Sequence, residues 1–134
     1  MWKNLVNRIK KFNESLNWAT KQGVINAFNF KSRATRMEYW AFSFNLTFVV
    51  KLIERFLDPY FFPGNEWEPL SFAVSIILLV PLLSVTIRRL HDTNRSAWWL
   101  LLYPTLIGIP FLIYFFCVKG SNEKNKYGLP RKNV

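Results

Sequence analysis

The chain is poor in the residues that build most soluble active sites. One cysteine, Cys117, excludes an intrachain disulfide. One histidine, His91, leaves too few ligands for a zinc site of Cys and His. The five glycines form neither a phosphate-cradling loop nor a nucleophile elbow. Acids are scarce as well, with 8 Asp and Glu against 18 Lys and Arg, a formal charge of +10. No metal and no cofactor is expected. The 134 residues have the length of one domain, without internal repeats or low-complexity tracts.

In place of those residues stand long runs without charge. Leu70 to Ile87 is uncharged for 18 residues and Ser96 to Val118 for 23. Uncharged apolar runs of about 18 residues or more are long enough to cross a bilayer's hydrocarbon layer. A third stretch, Tyr39 to Val50, is uncharged for 12 residues and then meets Lys51, Glu54, Arg55 and Asp58. At 100° per residue these four share one narrow stripe with Thr47. That stripe reads in two ways. Facing a bundle interior, it would serve an oligomeric transporter, a pore component or an intramembrane enzyme. Alternatively, the helix leaves the hydrocarbon and lies at the interface, with Lys51 snorkelling. The second reading is preferred, because four charges in so short a stretch are costly in lipid. Asp58-Pro59 is expected to end the helix.

The start of the chain has no apolar core of signal-peptide length and carries Lys3, Arg8, Lys10 and Lys11. Trp2, Leu5, Val6, Ile9, Phe12 and Leu16 fall on one helical face, the pattern of a helix lying on an anionic membrane surface. The expected fold is therefore all-α and membrane-integral, in a single domain. An interfacial amphipathic helix over about 2–22 precedes spans over about 37–57, 70–88 and 97–118, and a basic tail over 119–134 follows. Trp40, Trp67 and Trp98-Trp99 lie near the proposed span ends, as in an aromatic belt.

Lys and Arg number eight before the first span, none between Asp58 and Pro69, three in Arg88–Arg95 and five after Val118. Positive residues concentrate on the cytoplasmic side. The N-terminus and the Arg88–Arg95 loop are thus expected inside, and the Asp58–Pro69 loop outside. The last apolar segment is either one kinked span or a segment that dips in and returns, broken between Pro104 and Pro110. Its length favours the kinked span, whereas the five cations of the tail favour the return.

Two polar stretches flank the spans on the cytoplasmic side. In Phe30–Trp40, Thr35 and Glu38 have the spacing of a capping box, in which Glu38 would reach back to the N-cap amide. In Ile87–Trp99, Ser96 or Asp92 is a plausible N-cap for the third segment. The chain resembles the bacterial domain-of-unknown-function 805 family, whose pattern runs Phe-x-Gly-Arg-x-x-Arg-x-Glu-Tyr-Trp, then Arg-Arg-Leu-His-Asp with Arg-Ser-Gly/Ala-Trp-Trp, then Asn-Arg-Tyr/Phe-Gly. Phe30, Arg33, Arg36, Glu38, Tyr39 and Trp40 match the first block. Arg88 to Asp92 and Arg95 to Trp99 match the second, and Asn125, Tyr127 and Gly128 the third. Ser32 replaces a glycine, which puts a tight glycine turn there in question, and Lys126 replaces an arginine, keeping charge without the planar fork. The resemblance implies a bacterial inner-membrane (plasma-membrane) protein with no assigned activity.

A catalytic reading would take His91 as base and nearby arginines as a phosphate clamp. Sequence neighbours do not face each other on a helix, however. The preferred reading pairs Asp92 with Arg33, Arg36, Arg88 or Arg89 and leaves His91 a local hydrogen bond. Arg33, Arg36, Arg88, Arg89, His91 and Arg95 are the candidates for binding lipid or a partner. Thr35, Glu38, Asp92, Asn125 and Tyr127 form the supporting polar network. Arg33, Arg36, Arg88 and Arg89 are expected in one cytoplasmic cluster, compensated by Glu38 and Asp92 and open to a headgroup. The partners expected are anionic lipids, a second copy or another membrane protein. Nucleic acid is not expected, because the charge lies beside the spans. The function expected is that of a non-enzymatic membrane module.

Overall fold

The computed structural model describes residues 1–131; the last three residues of the basic tail, 132–134, lie outside the described residues. The described chain is helical, with α1 (Trp2–Ile25), α2 (Arg36–Leu52), α3 (Asp58–Phe61), α4 (Pro69–Asp92) and α5 (Gly108–Cys117). A π-helical turn over Ile53–Leu57 joins α2 to α3, and a 3₁₀ helix covers Ala97–Leu102.

α2 and α4 form an antiparallel pair fastened at both ends. At one end Arg88, late in α4, pairs with Glu38, early in α2. At the other, the Asp58 carboxylate accepts the amides of Leu70 at 2.8 Å and Ser71 at 2.9 Å. The first amides of a helix have no partner within it and carry the positive end of its dipole. Glu68, the residue before α4, gives no side-chain cap, so a carboxylate from the preceding helix takes that place. Asp58 thereby leaves the expected polar stripe, while Lys51 and Glu54 pair with each other at the surface.

Pro59 does not end the helix where expected. The helical path runs from Arg36 through the π turn to Phe61. Proline lacks an amide and its ring crowds the carbonyl four residues back. The wider π turn directly before it accommodates both, with Asp58 N–H reaching the Ile53 carbonyl. The expected 37–57 span is thus divided, and α4 is the one described helix both long and apolar enough by itself to cross a membrane. Pro81 sits inside α4 without breaking it.

The kinked third span is not observed. The 3₁₀ helix and α5 are two short arms joined by an irregular turn at 103–107. Six residues at about 2.0 Å rise give about 12 Å, and ten at about 1.5 Å give about 15 Å. Each arm therefore covers about half of a ~30 Å hydrocarbon layer. The two ends also meet: the Arg89 guanidinium, on α4, donates to the carbonyls of Phe116 and Val118 at the end of α5. The segment leaves the end of α4 and comes back to it. Pro104, Gly108 and Pro110 are where the break falls, and the close approach of Gly108 to the Leu102 carbonyl leaves no room for a Cβ.

Burial is inverted relative to a water-soluble protein. Arg33, Arg88, Arg89, Glu38, Asp58 and Asp92 are buried, whereas Phe72, Ile76, Ile77, Leu79 and Leu106 are exposed. The apolar clusters, Leu90–Leu112–Phe115–Phe116 and Ala34–Phe42–Val85, gather near the arginine end of the helix pair. α1 packs there by its second half only. Gly23 lies so close to the Phe42 ring that a Cβ would sit 2.2 Å from it, and Asn45 donates to Thr20. Trp2, Leu5, Val6, Ile9 and Phe12, in its first half, are exposed.

Candidate functional site

The last carbonyls of a helix need partners from outside. At the end of α4 those partners come from three separate segments. Ala34 N–H bonds the Arg88 carbonyl at 3.0 Å and Ser121 N–H the Asp92 carbonyl at 3.0 Å. The Asn125 side chain donates to the His91 carbonyl at 2.9 Å. Asn94, at φ 59°, turns the chain sharply so that the Arg95 amide returns to the Leu90 carbonyl.

Around this end the charges pair internally. Asp92 is shared: Oδ1 takes the Arg33 Nε at 2.9 Å and Oδ2 takes the Arg89 Nη1 at 2.6 Å. Arg33 spends its remaining donors on the carbonyls of Ser121, Glu123 and Gly128, and Arg89 its own on the end of α5. Arg88 pairs with Glu38, whose second oxygen lies 3.6 Å from Arg131. A buried guanidinium is tolerated when a carboxylate and carbonyl oxygens replace its water. The expectation that Arg33, Arg88 and Arg89 stand open to a headgroup is therefore corrected: their exposure is 2%, 0% and 0%. They hold the fold together, and the ring planes of His91 and Tyr127 add a stacked pair with centroids 3.6 Å apart.

The capping box is half formed. Thr35 Oγ1 accepts the Glu38 amide at 3.2 Å, but the Glu38 carboxylate is committed to Arg88 and does not reach back. Ser96, not Asp92, caps the 3₁₀ helix by accepting the Trp98 amide. Ser32 is absent from the left-handed backbone positions among the described residues, so no glycine turn is required there. The third motif block does build a tight turn. Asn125 and Gly128 exchange backbone hydrogen bonds, Gly128 adopts φ 117°, and Tyr127 N–H donates to the Asn125 side chain.

Two residues with structural roles here carry no conspicuous signal in the sequence. Gly120 approaches Asp92 so closely that a Cβ would lie 1.8 Å from its carboxylate, and Ser121 supplies both an amide to α4 and a carbonyl to Arg33. Their partners lie about 30 and 90 positions away, beyond any local pattern.

Arg36 and Lys119 remain exposed. Arg36 makes one long bond, 3.3 Å, to the Cys117 carbonyl. Both line a polar pocket of about 140 Å³ with Arg33, Thr35, Asp92, Ser121 and Arg131. Arg95 is half-buried, with its guanidinium carbon 3.8 Å from the centre of the Phe115 ring. His91 stacks on Tyr127 and Asp92 pairs with two arginines, so the two do not converge on a shared reacting position. Of the expected stripe, Lys51, Glu54 and Arg55 line one open pocket of about 490 Å³, with Asp58 turned away to cap α4.

The model of a family described as "Protein of unknown function (DUF805)" matches residues 27–129, from just past α1 through the closing turn. The chain belongs to the DUF805 family. It is 38% identical over 107 residues to "Inner membrane protein YhaI" of Escherichia coli K12, covering 77% of this chain and 86% of that protein. Its identity to "Inner membrane protein YhaH" of the same strain is also 38%, covering 77% and 87%. No solved structure matches. The chain is thus an inner-membrane protein of unknown function with a helix, α4, of crossing length. The matched region holds the whole arginine network except Arg131.

Proposed function

We propose that this protein is a non-enzymatic module of the inner membrane that binds anionic lipid headgroups on its cytoplasmic side. The observation that carries this reading is the division of labour among the cations. Arg33 and Arg89 are consumed by Asp92 and backbone carbonyls, and Arg88 is sealed beside Glu38. This leaves Arg36 and Lys119 exposed and, among the described residues, without an ion pair, at a polar pocket whose carboxylate, Asp92, is already shared by two arginines. An exposed arginine and lysine at one polar pocket suit a phosphate. The charge distribution supports the orientation: the return of α5 brings the tail's cations to the same end as residues 31–36 and 88–95, and positive residues concentrate on the cytoplasmic side.

α1 fits the same arrangement. Its exposed apolar face and its Lys3, Arg8, Lys10 and Lys11 suit a helix lying in the headgroup layer, anchored to the bundle through Ala19 and Gly23.

The test compares thermal stability of the detergent-purified protein with added phosphatidylglycerol or phosphatidylcholine. Phosphatidylglycerol should stabilise the native chain selectively. Arg36→Gln with Lys119→Gln should remove most of that selectivity, at about 1 kcal/mol per cation. The same variant should leave lipid-free stability within about 0.5 kcal/mol, as surface substitutions do. Equal selectivity in the native chain and the double variant would refute the reading.

A further inference from the structure

The two arms between Ala97 and Cys117 border a second, very different cavity, an open cleft. Trp99 and Leu102 on the 3₁₀ arm, with Phe111, Tyr114 and Phe115 on α5, line an apolar cleft of about 960 Å³. That volume lies at the upper end of the range for small-molecule pockets, about 300–1,000 Å³. The cleft shares no lining residue with the Arg36 pocket. Its walls belong to a segment without charge from Ser96 to Val118, with Thr105, Ile107 and Gly108 of the turn completing the lining. Arg95 borders the cleft through one of those walls, its guanidinium carbon 3.8 Å from the centre of the Phe115 ring. Its guanidinium donates to the Thr93 carbonyl, and no carboxylate pairs with it among the described residues.

We infer that this cleft holds one acyl chain of an anionic phospholipid, with the phosphate drawn to Arg95. Charge complementarity selects the occupant. A chain moving from bulk lipid into the cleft gains no hydrophobic free energy, because lipid tails are already apolar. Preference must therefore come from packing and from the charge at the mouth. A cleft that is apolar along its length and cationic at its interfacial end matches an anionic amphiphile and offers a neutral one nothing extra. Arg95 is held by an aromatic face and by Thr93, so its guanidinium edge stays available to a phosphate.

The probe is phosphatidylglycerol carrying a diazirine in its acyl chain, at low fraction in phosphatidylcholine nanodiscs holding the full chain. The same diazirine on phosphatidylcholine is the control. After irradiation, labelled residues are mapped by mass spectrometry. Leu102, Phe111 and Tyr114 should be labelled several-fold more by the anionic probe, roughly fivefold for one interfacial cation. Ile77 and Leu79, exposed on α4, should show no such preference. Arg95→Gln should erase the preference, while Arg36→Gln should keep it, which separates this site from the headgroup pocket proposed above. Phe111→Trp, which narrows the cleft, should lower labelling there by both probes. Equal labelling of the cleft by the two probes would overturn the inference. Protection of the cleft from both probes in a dimeric fraction would overturn it too, by showing that a second copy fills it.

Discussion

Arg33 and Asp92 stand 59 positions apart in the chain, yet the guanidinium meets the carboxylate at 2.8 Å with both side chains nearly sealed from solvent. Asp92 also holds Arg89, so one carboxylate joins the segment before α2, the end of α4 and, through Arg89, the end of α5.

Removing that carboxylate leaves two buried cations under-compensated. Asp92→Asn is expected to cost about 3–5 kcal/mol, the penalty for stranding a buried charge. Arg33→Gln should cost less in the Asp92→Asn background than alone, with a coupling of about 0.5–3 kcal/mol. Denaturation of the two single variants and the double variant in mild detergent measures this. Strict additivity would show that the pair is not energetically coupled.

The opposite end makes a separate prediction. Asp58 caps a helix it does not belong to, through the amides of Leu70 and Ser71. Asp58→Ala should cost about 0.5–2 kcal/mol, the usual range for a lost cap. Asp58→Asn should recover part of that, since one carbonyl oxygen remains to accept. The readout is again thermal stability, together with amide exchange at Leu70 and Ser71, which should quicken in Asp58→Ala. Unchanged exchange at both amides would count against the cap.

Topology gives a third. In a Cys117→Ala background, single cysteines at Arg95 and Asn122 should be protected from an impermeant thiol reagent in intact cells, and one at Asn65 should be labelled. The prediction joins the Lys and Arg distribution to the return of α5 beside α4. Labelling at 122 from outside would mean that the last apolar segment crosses.

Much of this could be read from residue types, and the misreadings have physical causes. Apolar patterns are visible locally, so helices are expected over about 2–22 and 70–88, and α1 and α4 cover both and extend a few residues further. An uncharged run of 23 residues has the same composition whether it crosses once or folds back at mid-depth. Pro104, Gly108 and Pro110 marked the break between the two arms. The arginine motifs were conspicuous, but their burial was not legible. It depends on carbonyls of Ser121, Glu123 and Gly128, supplied from roughly 90 residues away, and no local pattern encodes which end of the chain will solvate a guanidinium. Glu38 shows the same limit: its spacing from Thr35 is that of a local cap, and a stronger distant partner, Arg88, takes its carboxylate.

The dependence of Arg33 on Ser121, Glu123 and Gly128 also sets an order for biogenesis. While the ribosome is still making the tail, α2 and α4 can already insert, but their basic end lacks the oxygens that seal it. Those groups must wait at the water-facing boundary until the closing turn emerges. The native arrangement of Arg33 is therefore available only once the closing turn has been made, and a chain cut short before Ser121 would leave this guanidinium without its carbonyl partners. Residues 121–128 complete the fold with backbone oxygens.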